Sequence, residues 1–468
     1  MNLNIHIPKG HENERQYILS VFLKDYLGLD FQIKSGEETK TIISLPNEKK
    51  IKLDDQFFSQ PESNWLNSST LPTQPFKVWN TRENLIEFNL IDPVLPVIYG
   101  NFLFNDSFFF VEKDGISLGL DIFGSAFFMM SRYEEAINKD NLDSHQRFRF
   151  KCSFAYKEKF LHRPIVNEYL EILWACMKYL CPSLKRKSRV FRFLPSHDVD
   201  DPKDPTAGNF FKAGKHILFG DILKRRDFEL AKSRISNYFI IKNKGFIDDH
   251  YNKFNYIMSL SEKNNLVSTF NFIAGHSAGT IDGFYSMAEP YIRNLLYEIN
   301  DRGHEIGIHP SYNSYEDASI IAKELQTLKK ACIDEGIFQE YWGGRTHFLR
   351  FDVPNTFKNL EQAGLHYDNT LTYPGLAGFR CGICYEYPAF DVKERKALNL
   401  KIRPLIAMEC SLIDKQYMGL GTGESSFEYL NSLKLACKQF SGDFSLLWHN
   451  SRLIKTDEQK LYESLINY

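Results

Sequence analysis

The 468-residue sequence lacks an excess of charge of either sign: 57 Lys and Arg face 59 Asp and Glu, a formal net charge of −2 with His neutral. That excludes a generic binder of nucleic acid or another polyanion, because there is no basic surplus to neutralise phosphates. Long apolar runs are also missing. Stretches such as Phe108 to Val111 and Ile406 to Met408 are short and interrupted by charge, so no spanning helix is expected. The first residues, MNLNIHIPKGHENERQ, turn polar too soon for the core of a signal peptide, and a cytoplasmic protein is expected. The eight cysteines (Cys152, Cys176, Cys181, Cys332, Cys381, Cys384, Cys410 and Cys437) form no disulfide framework, which fits a reducing compartment. Cys381 and Cys384 make an isolated C-x-x-C with no second pair to complete a four-ligand zinc site, and they are read as packed thiols. Repeats of fixed period and low-complexity tracts are absent, which excludes solenoids and arrays.

What is present describes a globular mixed α/β chain, with 43 % hydrophobic and 15 % aromatic residues. Its length suggests two or three domains. Residues 13–27 carry apolar positions at helical spacing and stop at Gly28, as a C-cap would. The runs FQIKSG, TKTIISL and KKIKLDD alternate as half-exposed strands do. Two helical segments follow, LDIFGSAFFMMSRYEEAI and RPIVNEYLEILWACMKYL. The basic, Pro-containing CPSLKRKSRV then marks a boundary, with an α+β domain over 1–188 and a second domain over 189–468. In the second, helices and strands alternate after a helical insert at about 206–247, which implies a parallel sheet in a barrel or doubly wound fold. Such folds place their chemistry at the C-terminal ends of the strands.

Four polar clusters fall at such ends. In Ser196-His197-Asp198-Val199-Asp200-Asp201, Asp198 and Asp200 are two apart in extended chain and share a face, a pairing suited to a general base beside a metal ligand, or to an acidic turn. His309, between a strand and Pro310, is oriented for ligation. Four residues on, where a helical turn would bring a second ligand to the same side, stands Asn313. His304, ahead of that strand, reads as structural. After Gly343 and Gly344, which permit close backbone approach, Arg345 can hold a carboxylate and His347 can join a metal site. The apolar strand ending at Trp448 delivers His449, able to protonate a leaving group.

Taken in order, these clusters resemble the motifs of the polysaccharide deacetylase superfamily, of the carbohydrate esterase family 4 type. The resemblance spans roughly residues 190–455. It implies a distorted (β/α) barrel preceded by a smaller α+β domain, and a hydrolase that removes an N- or O-acyl group, most often acetyl, from a sugar. Asp198 matches the catalytic base, Asp200 and His309 match metal ligands, Arg345 the residue that orients the base, and Leu447 with His449 the strand that carries the acid. The family's second motif is H-x-x-x-H, and Asn313 occupies its last position, so the expected divalent ion, zinc by ligand type, needs Asn313 or His347 as a further ligand. The alternative readings are a non-catalytic carbohydrate-binding protein with a degenerate deacetylase site, a metal-independent amide hydrolase, and a hydrolase of cyclic amides like relatives that open such rings. The aromatic segment YDNTLTYPGLAGFRCG offers Asp368, Tyr373 and Arg380 as candidates to line the substrate or as a packed, capped loop. The first domain, with SRYEE and RPIVNEY, is similar to an N-terminal domain of unknown role found on a bacterial subgroup. The expected partner is a carbohydrate or acylated small molecule; the sequence is silent on oligomeric state.

Overall fold

The computed structural model describes residues 2–103, 106–204, 210–224, 228–244, 246 and 249–467. The first sheet has six strands: β1 (Asn2–Pro8), β2 (Asp30–Gly36), β3 (Thr41–Ser44), β4 (Lys50–Leu53), and, beyond the hairpin of β5 (Lys77–Asn80) and β6 (Val94–Val97), β7 (Phe109–Glu112) and β8 (Gly115–Leu118). Its order is β2-β1-β3-β4-β8-β7. The stretch without a signal peptide's core is β1: Leu3, Ile5 and Ile7 alternate with polar residues and bury their side chains. The helix of residues 12–19 continues as a π-helix, Ser20–Tyr26, and stops at Gly28, whose φ of +70° a side chain would resist. The next expected helix is two, Ile122–Met130 and Tyr133–Ile137, broken at Arg132 with φ 54°. Ile165–Leu180 is the long helix expected of RPIVNEYLEILWACMKYL.

The second sheet is built from β9 (Arg192–Val199), β10 (Thr269–Phe272), β11 (Glu305–Ile308), β12 (Gly343–Gly344), β13 (Tyr367–Asp368), β14 (Tyr387–Asp391), β15 (Lys396–Ile402), β16 (Ala407–Met408) and β17 (Asp443–Leu447). Its order is β14-β15-β13-β12-β11-β10-β9-β17-β16. Every neighbouring pair is parallel except β14 with β15. Helices intervene between strands, as parallel pairing demands. Central strands such as β9 and β17 are buried along nearly their whole length, as strands covered on both faces are. β14 and β16 are the outermost strands in the pairing, and closure into a barrel is not seen among the described residues. The insert is helical at Phe210–Lys215, His216–Lys224 and Phe228–Lys244; residues 206–209, 225–227, 245 and 247 lie outside the described residues.

The apolar core is continuous from Leu3 to Ile466. The first sheet's helices pack on β14 and β15, where the Tyr17 hydroxyl donates to the Pro388 carbonyl (2.7 Å) and the Trp65 indole to Val392 (2.7 Å). At the centre of this contact Glu135 accepts from Arg132 (Nε 3.0 Å, Nη2 2.9 Å) and from Arg380 (Nε 2.9 Å, Nη2 2.6 Å). The Tyr373 hydroxyl accepts from Arg132 (3.2 Å), and the Arg380 guanidinium lies 4.8 Å from the Tyr373 ring centre. These groups are almost wholly buried. Arg380 and Tyr373 are therefore not substrate contacts, as was one expectation, but hold the two halves of the chain together. Asp368 is likewise buried, accepting from the backbone (3.0 Å) and hydroxyl (2.5 Å) of Thr370, and burial pushes its carboxyl up to about 6. The buried Cys381 and Cys384 are free thiols in the same packing.

Removing one member of a buried ionic network strands the others in low dielectric. Glu135→Ala should therefore lower unfolding free energy by about 3–5 kcal/mol, measured by urea denaturation. Burial works against the Glu135 charge, but Arg380 and Arg132 outweigh it and hold its carboxyl down at about 2, below the ordinary 4.5. A carboxylate with a depressed folded pKa stabilises fully above its unfolded value and loses that contribution as pH falls toward the folded one. The stability difference between the native protein and Glu135→Ala should thus be constant above about pH 5 and shrink from there toward pH 2.

Candidate metal centre

Asp198 lies near the end of β9, and its side chain is fixed on two sides. Its Oδ1 accepts from Arg345 Nη1 (2.7 Å) and Asn271 Nδ2 (2.8 Å), while its Oδ2 lies 3.7 Å from His309 Nε2. Burial opposes its charge, yet Arg345, then His309 and His449, hold its carboxyl below the usual range. Arg345, wholly buried, also donates from Nη2 to Ser196 Oγ (2.7 Å) and to the Asn369 side-chain oxygen, and from Nε to the Asn369 carbonyl (2.9 Å). The glycines before it meet the expectation of close approach: a Cβ on Gly344 would lie 1.9 Å from the Ile308 carbonyl oxygen. A Cβ on Gly307 in β11 would lie 2.0 Å from Asn271 Oδ1, so the residue that steadies Asp198 depends on that glycine.

Asp200 follows the same strand directly, and three imidazoles converge on it. His309 Nε2 lies 3.3 Å from its Oδ1, His347 Nε2 3.8 Å from the same atom, and His449 Nε2 3.6 Å from Oδ2. Each imidazole is anchored by its other nitrogen. His309 Nδ1 faces the Arg345 carbonyl, His347 Nδ1 the buried Asp282 carboxylate (2.8 Å), and His449 Nδ1 the buried Glu409 carboxylate. At His309 and His347, an Nδ1–H donated to such an oxygen leaves a neutral imidazole with its Nε2 lone pair facing the common centre, as metal-binding histidines are held. Asp200 Oδ1 is buried and has no hydrogen-bond partner among the described residues. Asp200, His309 and His347 together offer three ligand atoms within 4.8 Å of one another. Two imidazoles and a carboxylate with a remaining side open suit a zinc-like divalent ion.

Asn313 is the expected ligand that the structure turns away. It is exposed; its Nδ2 donates to the Ser277 carbonyl (3.2 Å) and its Oδ1 accepts from Arg350 (2.9 Å). The helical spacing from His309 does not apply, because a short 3₁₀ turn begins only at Ser314. His304 is structural, as read: its Nδ1 accepts from the backbone of Ser268 (3.1 Å). Three partners were not found from sequence. Glu409 follows β16 and was open to the strand-end rule, but a two-residue strand has no periodicity to announce it. Asp282 lies in a 3₁₀ turn away from any strand end, and Asn271 is one amide within an apolar strand.

At His449, burial favours the neutral ring, but the Glu409 carboxylate and the neighbouring Cys410 outweigh it and raise its pKa well above the ordinary value. A histidine so placed stays protonated near neutral pH and can give a proton to a departing group. Asp198 and His449 both border one cleft, with Leu349, Met408 and Leu447 as an apolar side and Gln416 and Tyr417 also in its lining. The first half of the chain supplies one wall residue, Arg147. Its Nη1 donates to the Phe348 carbonyl (2.9 Å) and its Nε to Asp143 (2.8 Å). Phe348 and Leu349 have φ of 59° and 57°, a left-handed pair unusual for side chains of this size, held directly after His347.

A family of unknown function, DUF7033, matches residues 3–182. No curated protein matches the chain. Among solved structures, the chain is similar to a polysaccharide deacetylase, so described, from Mycobacterium smegmatis, with TM-score 0.38 and 15 % identity over 60 % of this chain and 84 % of that one. It is also similar to the allantoinase PuuE (TM-score 0.36, 14 % identity, 60 % and 83 % covered). A polysaccharide deacetylase, so described, from Pseudomonas aeruginosa PAO1 gives TM-score 0.35 and 14 % identity over 60 % and 84 %.

Proposed function

We propose that the protein is a metal-assisted hydrolase that removes an acyl group, acetyl foremost, from a sugar or glycan, and that residues 189–468 carry the reaction on a distorted (β/α) barrel while residues 1–188 form a supporting domain. The observation that carries this reading is the convergence on Asp200: three imidazoles turn Nε2 toward it, each held from behind, beside a carboxylate fixed by a buried arginine. The acyl-sugar substrate rests on the resemblance of the four strand-end motifs.

Asp200, His309 and His347 would hold the ion. When bound, it would polarise the acyl carbonyl and lower the pKa of water. Asp198, kept charged and oriented by Arg345 and Asn271, takes the proton of the attacking water. His449, kept protonated by Glu409, returns a proton to the departing amine or alcohol on the other side of the cleft. Arg345 acts as a positioning residue, since its guanidinium is wholly engaged with Asp198, Ser196 and Asn369. The apolar side formed by Leu349, Met408 and Leu447 suits a small acyl methyl and limits water around the developing charge.

The assignment separates the ligands from their neighbour in sequence. Elemental analysis of purified protein should find a divalent ion, lost in His309→Ala and His347→Ala but retained in Asn313→Ala. Loss in Asn313→Ala with retention in His347→Ala would reverse the ligand set. Asp198→Asn should keep the metal and the melting temperature within a few degrees, while kcat on an acetylated sugar falls by about 10² or more. Removing the charge behind the acid has a sign. Glu409→Gln withdraws the carboxylate that raises the His449 pKa, so the alkaline limb of the kcat profile should move to lower pH with the acidic limb in place.

A further inference from the structure

A second recess lies in the seam between the two halves of the chain, at the end of β9 opposite to Asp198 and Asp200. Its walls are Tyr26 from the first half, Lys187 and Arg189 from the connecting segment, and Tyr385 from the second half. Three cations line it and only one carboxylate, and that carboxylate, Glu171, is already paired with Arg186 (2.6 Å). Lys187 Nζ reaches only the Asp25 carbonyl, at 3.4 Å. Arg189 has no carboxylate partner among the described residues: its guanidinium lies 3.9 Å from the Tyr385 ring centre and 5.6 Å from that of Tyr26, and its buried Nε–H donates to nothing. The Tyr26 hydroxyl, on a side chain only 3 % exposed, is also buried without a partner.

An unpaired buried donor is costly, and two of them beside positive charge without a carboxylate are the donor set that an anion would satisfy. The aromatic rings hold the guanidinium by its face, which leaves its N–H edge free for the bidentate contact that a tetrahedral oxyanion accepts. Two cations without carboxylates match a dianion better than a carboxylate ligand. We propose that this seam is a phosphate-binding site, in which Arg189 and the Tyr26 hydroxyl donate to a phosphate group and Lys187 balances its charge. Because the walls come from both halves, the bound group ties them together.

Isothermal titration of the full-length protein with inorganic phosphate, at ionic strength held constant with potassium chloride, tests the site. Saturable binding is expected, weakened about tenfold or more in Arg189→Met and in the surface variant Lys187→Ala, and severalfold in Tyr26→Phe. Asp200→Ala should bind phosphate as the native protein does. Absence of saturable binding, equal affinity in Arg189→Met and Lys187→Ala, or loss of binding in Asp200→Ala, which would move the phosphate to the metal centre, each overturns the proposal. Phenyl phosphate in a parallel titration identifies the source: tighter binding than inorganic phosphate assigns the site to a phosphate ester, equal or weaker binding to the free ion.

Discussion

The candidate centre depends on one guanidinium. Arg345 is wholly buried, and a cation there is tolerable because four oxygens receive it: Asp198, Ser196 and two on Asn369. Those oxygens belong to β9 and to the turn after β13, so the same contacts that satisfy the charge fix the distance across three intervening strands. The backbone of Arg345 adds a second function, because its carbonyl faces His309 Nδ1. One residue thus sets the charge state of the proposed base and the tautomer of a proposed ligand.

A shell of buried acids extends this arrangement outward. Asp282 behind His347 and Glu409 behind His449 are both inaccessible to solvent, and each would be a costly isolated charge without its imidazole. The two imidazoles receive different treatment. His347 is held by a carboxylate that also accepts backbone N–H groups from Ala278 and Tyr312, which spreads its charge. Glu409 Oε2 has no partner among the described residues, and its Oε1 serves the ring and backbone N–H of His449 (backbone 3.3 Å) and the Cys410 thiol (3.2 Å), so its charge is directed mainly at His449 and its neighbour. That contrast fits one ring as a ligand and the other as a proton donor.

Sequence reasoning chose its candidates by a rule about strand ends, and the structure brings together those that follow strands long enough to carry a pattern. Asp198 near the end of eight-residue β9, Asp200 just beyond it, His309 after β11 and His449 after β17 were legible because each buried strand gives way to polar residues at its end. Asn313 misled because spacing of four implies a common face only within a helix, and the chain at 311–313 is a turn. Tyr373 and Arg380 misled for another reason. An aromatic and an arginine have the same composition whether they meet a substrate or a buried glutamate, and Glu135, 245 positions away from Arg380, carries no local sign of the pairing. Asp282 and Asn271 were illegible because their role exists only across strands.

The bond from Arg147 to the Phe348 carbonyl has a bearing on how such a chain can change over generations. It reaches from the first half of the molecule to the strained residue beside His347, at the lip of the cleft. A module that shapes its neighbour's pocket in this way is not freely exchanged. Recombination that brought in a different first half would reset the backbone next to the centre, so the two halves are constrained to diverge together, residue against residue, along that lip.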